Sequence, residues 1–164
     1  MAASKGKVAR CYTGPLSSPI ARSMAECNPA GPLMVHVVKL YATSDGQSFS
    51  AFGRIYSGTV KAGDRVRVLG EGYSPEDDED AATATVTGVS IPRGRKRTNV
   101  TMARAGNWVL LDGVDANIGK TATIVRARGG GSAGGRFNRT DEDDVQIFAP
   151  LKFPQVSWAP LEKK

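Results

Sequence analysis

Short apolar, β-branched runs recur along the chain, separated by glycine, proline and asparagine, and no long helical period interrupts them. Leu33 to Ala42 (LMVHVVKLYA) predicts the first full strand. Ser44-Asp45-Gly46 then turns the chain into Ala51 to Gly70 (AFGRIYSGTVKAGDRVRVLG). Phe52, Ile55 and Val60 precede the tight reversal Ala62-Gly63-Asp64, and Val66, Val68 and Leu69 follow it. Val66 and Val68 alternate with Arg65 and Arg67, the period of a half-buried strand, so the segment predicts a twisted antiparallel ribbon with Gly58 and Gly63 at its turns. Ala84 to Ile91 predicts another strand, in which Gly88 marks a bulge or a close backbone approach. Val100 to Ala103, Asn107 to Leu111 and Thr121 to Arg126 predict three more, and Val145 to Phe153 a last one that Pro150 bends or confines to an edge.

One short helical pattern precedes these strands. Ser18-Pro19 offers an N-cap and a proline at the first helical position, and Ile20, Met24 and Cys27 follow at one-face spacing. Asn28-Pro29 and Gly31-Pro32 end it, because the residue before proline resists the helical region. Residues 1–14 are polar and basic and predict a mobile tail. The pattern as a whole predicts an all-β fold: a small closed antiparallel β-barrel over residues 33–153 with a short N-terminal helix. Residues 1–32 are tail and helix, 127–144 a glycine-rich acidic insert, and 154–164 a second tail.

Composition adds modest constraints. The 164 residues suit one domain, and 19 glycines with 9 prolines fit a turn-rich β fold. The net charge of +6 makes an anionic partner such as RNA plausible. Cys11 and Cys27 are the two cysteines, too few for a disulfide framework, which predicts a reducing compartment. No run reaches the roughly 18 apolar residues of a membrane span, so no membrane partner is expected.

The candidate chemistry is thin. Gly119-Lys120-Thr121 invites comparison with a phosphate loop, but five residues separate it from Gly113 where four are required, and a β-branched run follows instead of a helix. It predicts a hairpin turn. His36 is the sole histidine and lies in an apolar strand without a second ligand or a triad partner, so it predicts a packed strand histidine. Glu76 to Asp80 predicts a solvated acidic loop, lacking the glycine spacing of a calcium loop. Arg93, Arg95, Lys96 and Arg97 predict a solvated basic loop, with contact to RNA phosphate or a nuclear import signal as the functional alternatives. No aromatic residues interleave with these charges, so no stacking platform is expected, and Trp108 is expected in the core. No catalytic, cofactor-binding or metal-ligating residue emerges.

The central segment resembles the second domain of translational GTPases. Gly53, Arg54, Ile55, Gly58, Val60, Gly63 and Asp64 supply that domain's characteristic glycines, arginine and glycine-aspartate turn. Cys27 to Met34 (CNPAGPLM) and Ala51-Phe52-Gly53-Arg54 resemble the elongation factor 2 branch. Gly70-Glu71-Gly72-Tyr73 with its acidic run, Ala105-Gly106-Asn107-Trp108-Val109, Gln146-Ile147-Phe148 and Pro150 to Phe153 look more like the spliceosomal member of that branch, the GTPase of the U5 small nuclear ribonucleoprotein. On this resemblance Gly53, Arg54, Gly58, Gly63, Asp64, Gly106, Asn107 and Trp108 are structural signature residues.

The resemblance implies a fragment of a larger protein, with residues 1–32 leading in from a GTPase domain that this chain lacks. GTP and magnesium would then belong to the full-length family protein and to no site in this chain. It further implies a non-catalytic, nuclear module of pre-mRNA splicing that relays nucleotide state. Its partners would be that GTPase domain, the U5 scaffold protein and RNA. Domain II of elongation factor 2, cytoplasmic and ribosome-bound, and a generic RNA-binding barrel are the alternatives.

Overall fold

The structure, a computed structural model, describes residues 2–74, 76, 78–127 and 146–149. The expected insert, apart from Ala127, and the tail at 154–164 lie outside the described residues, as does most of the last expected strand. Among the described residues two α-helices, α1 (Ala2–Cys11) and α2 (Pro19–Ala25), lead into ten strands. These are β1 (Met34–Ala42), β2 (Phe49–Ser57), β3 (Thr59–Lys61), β4 (Arg65–Leu69), β5 (Ala81–Thr85), β6 (Gly88–Arg93), β7 (Lys96–Asn99), β8 (Met102–Arg104), β9 (Trp108–Asp112) and β10 (Ala122–Arg126).

Eight strands form one antiparallel sheet in the order β5-β4-β10-β1-β2-β9-β6-β7, and β3 pairs with β8 in a second. Among the described residues neither sheet is closed by its own strand pairing, so the expected closed barrel is replaced by an open eight-stranded ladder. β5 and β6 nevertheless belong to one run of chain broken only at Val86-Thr87. Val86 is fully buried and its N–H donates to the Asp64 carbonyl, while the Thr87 N–H donates to that of Asp112. The break directs the first half of the run to β4 and the second half to β9.

The expected local ribbon also takes a different form. The reversal exists: the Asp64 N–H donates to the Lys61 carbonyl, and the Asp64 carboxylate accepts from the Lys61 N–H at 3.0 Å. Yet β3 pairs with β8, and β4 with β10 and β5. An isolated two-stranded ribbon is marginal in water. The distant partners bury Val60, Val66 and Val68 almost completely, which a solitary hairpin could not.

Two apolar layers result. The inner core holds Val35, Val37, Ile55, Val66, Val68, Leu111 and Ile124. On the outer side of β1, β2 and β10, a second cluster joins Met34, Tyr56 and Val125 to Val8, Tyr12, Ile20, Met24 and Phe148. Residues 1–14 are thus not simply a tail. Residues 2–11 form α1, whose ten residues would be marginal in isolation and are held by burying Val8 and, just beyond the helix, Tyr12.

The cap of α2 follows the sequence. The Ser18 side chain accepts the Ala21 N–H at 3.2 Å, and Pro19 opens the helix. The helix stops at Ala25, earlier than the proline pairs require, and Cys27 adopts a left-handed conformation with φ 52°. Ser18→Ala is expected to cost about 1 kcal/mol of stability, read from the urea midpoint.

Candidate functional site

The signature residues lie in β2 and at its passage into β3, at the β3–β4 turn, and where β8 passes into β9. Gly53 faces Val37 across the β1–β2 ladder, and a Cβ there would lie 2.6 Å from the His36 carbonyl oxygen. Arg54 lies over the Tyr56 ring at 5.4 Å. Gly58 has φ 78°; its N–H donates to the Asn28 carbonyl and its carbonyl accepts from the Ala105 N–H. The Gly63 N–H donates to the Val86 carbonyl, and the Asp64 carboxylate is 3.7 Å from Arg126. Gly106 (φ 94°) donates its N–H to the Ile55 carbonyl, while the Asn107 side-chain amide donates to the Arg104 carbonyl.

The basic run forms a β-hairpin tip rather than an irregular loop. Arg93 ends β6 opposite Lys96, which begins β7, and Gly94 turns the chain with φ 61°. Arg93, Arg95 and Lys96 are exposed, and their side chains make no hydrogen bond or ion pair among the described residues. Arg97 differs: it donates to the Ser50 hydroxyl at 3.2 Å and lies 3.9 Å from the Asp112 carboxylate. The four cations therefore divide into three open charges and one tethered to the sheet.

Gly119-Lys120-Thr121 is a bend leading into β10 and not the expected hairpin turn, because β9 pairs with β2 and β6 while β10 pairs with β1 and β4. The Thr121 N–H and hydroxyl both donate to the Glu71 carboxylate at 3.0 Å, placing an anion where a phosphate would have to sit. These residues do not fit a nucleotide phosphate or its magnesium ion. The acidic run is also less free than expected, because Asp80 folds onto Gly70-Glu71-Gly72. Its carboxylate accepts the Gly72 N–H at 2.8 Å and its carbonyl the Gly70 N–H. His36 is 4% exposed and stacks on Phe148 at 4.6 Å between ring centroids. Burial, aided by the charge of Lys7, lowers its pKa to about 4. It is a neutral packing residue at physiological pH.

Trp108 overturns its expected place in the core. It is 37% exposed and stacks on Phe52 with centroids 5.0 Å apart and planes 15° apart. Tyr41 meets Phe52 edge-on at 5.8 Å, and the Lys39 ammonium lies 5.1 Å from the Tyr41 ring. The cause is strand parity: Val109 and Leu111 are fully buried, so their neighbour Trp108 must point outward. Because Asn107 to Leu111 is apolar at four consecutive positions, composition alone did not reveal the direction.

The antiparallel strands and these glycine-pinned junctions define a β domain of the translation-factor type. The family model of elongation factor Tu domain 2 matches residues 49–125 of this chain. Among curated proteins it is similar to the 109 kDa U5 small nuclear ribonucleoprotein component GFL and the 110 kDa U5 component CLO, both of Arabidopsis thaliana. Each is 50% identical over 147 residues, covering 90% of this chain. The pre-mRNA-splicing factor cwf10 of Schizosaccharomyces pombe is 48% identical over 88% of the chain. The chain spans 14% of the length of each of these relatives.

Proposed function

We propose that this chain is the domain II portion of an elongation factor 2-like GTPase of the U5 particle, acting in pre-mRNA splicing in the nucleus. The observation that carries the reading is the 50% identity over 90% of the chain to U5 components. The domain's role is non-catalytic. GTP and magnesium belong to a separate GTPase domain, which accords with the Glu71 carboxylate filling the Gly119-Lys120-Thr121 bend.

The domain relays nucleotide state as a rigid lever between that GTPase domain and the U5 scaffold protein. Two features support this. The bent run from β5 to β6 ties both ends of the ladder β4-β10-β1-β2-β9, giving the function of a closed barrel through chain continuity. The signature glycines and Asp64 pin the strand junctions by backbone contacts, so the lever does not bend at its turns.

Affinity capture with the tagged chain from nuclear extract tests the assignment. U5 proteins and U5 RNA are expected among the recovered components; ribosomal components in their place would overturn it in favour of a translational role.

A further inference from the structure

Tyr41 and Trp108 are exposed on either side of the half-buried Phe52, and the surroundings of this aromatic row are cationic. Lys39 lies opposite Phe52 on the β1–β2 ladder, and Arg54 opposite Trp108 on the β2–β9 ladder. Phe52 and Trp108 are therefore stacked rings with a cation in register beside each. From the other side, Arg97 reaches over the same face to Ser50 of β2 and Asp112 of β9. It sits opposite Pro92, two residues beyond Ser90, which itself faces Leu110 of β9. Strands about 4.8 Å apart therefore put the Arg97 backbone roughly 10 Å from the β9 row. Beyond it stand the open charges of Arg93, Arg95 and Lys96.

We propose that the face bearing Tyr41, Phe52 and Trp108 is a stacking surface for single-stranded RNA, with Lys39, Arg54 and the β6–β7 hairpin meeting its phosphates. Every base presents a π-face, so a solvent-open indole backed by a second ring is a sequence-tolerant platform. The flanking cations and the net charge of +6 match a polyanion. An apolar protein partner would have to bury these cations without phosphates to neutralise them, which disfavours that occupant. The proposal deepens the reading of the domain as part of a ribonucleoprotein and rests on it only for the cellular source of the RNA.

The test uses the full chain with Trp158→Phe, so that Trp108 is the sole tryptophan, and a single-stranded oligouridine of about ten nucleotides at about 50 mM salt. Addition of RNA is expected to quench Trp108 fluorescence. By anisotropy of labelled RNA, Trp108→Ala is expected to weaken binding about tenfold and Trp108→Phe about threefold or less, since stacking survives. Arg93, Arg95 and Lys96→Ala together should weaken binding and flatten its salt dependence while leaving saturating quenching intact. Absence of binding, unquenched Trp108, or equal affinity of Trp108→Ala and its parent overturns the proposal. Equal affinity for duplex RNA also overturns it. None of these failures bears on capture of U5 components, which reads the domain's assembly independently.

Discussion

Gly58→Ala is expected to destabilise the domain by about 2–5 kcal/mol. The position has φ 78°, a left-handed conformation that costs a residue with a Cβ roughly 1–2 kcal/mol. The new Cβ would also lie 2.6 Å from Leu33 Cα and 2.9 Å from Leu33 N. Those are backbone atoms at the entry to β1, so no rotamer change relieves the contact, and overpacking of this kind costs about 1–3 kcal/mol. Gly63 is the internal control: its φ is 90°, but a Cβ there would meet nothing within 4 Å. Gly63→Ala should therefore show only the conformational part, about 1–2 kcal/mol. Urea unfolding of both variants checks the difference, and equal losses would mean that the close approach to Leu33 carries no energy.

Acidification is expected to remove about 3 kcal/mol of stability through His36 alone. Its native pKa is held near 4 by burial first and by Lys7 second, against 6.5 for an unperturbed histidine. The folded state therefore resists the proton that the unfolded chain accepts. The full contribution is present above pH 6.5, is lost as pH falls toward 4, and does not change further below that. Asp45 does not confuse the reading: the Thr43 hydroxyl holds its carboxyl below the usual value, so it titrates below this window. His36→Phe should keep the stack with Phe148 and flatten the profile between pH 6.5 and 4.5. A profile as steep as that of the parent would assign the acid sensitivity to other groups.

These two effects differ in how far the sequence foretold them. Gly58 was legible as a turn glycine because a left-handed turn is a local requirement. Its contact with Leu33 was not, because 25 residues separate the two positions and only the fold brings them together. His36 was legible as a strand residue. Its neutrality depends on burial, to which the stacked Phe148 contributes, and on the charge of Lys7 in α1, from opposite ends of the described chain.

The same division runs through the rest of the molecule. β1 and β10 each start one residue after the expected start and the Ser18-Pro19 cap forms as read, whereas the strand expected at Ala84 to Ile91 is split at Val86-Thr87 into β5 and β6, and the expected basic loop runs into β7. Helix α1 was not legible in the sequence because its apolar residues are too few to make a periodic face, and it is stabilised by docking rather than by propensity. The outward direction of Trp108 was not legible because an unbroken apolar run hides which alternate positions face inward.

By itself the sequence determined the β character of the chain, the places where it must turn, and the family signature of glycines with Asp64. These are properties of one residue and its neighbours. The tertiary structure alone decided that β3 and β4 take separate, distant partners and that one bent run serves both ends of the ladder. It also decided that Phe52 and Trp108 meet on an exposed cationic face. Strand pairing and outward direction are set by which distant surfaces can bury each other's apolar side chains, and that competition is settled only when the whole chain packs.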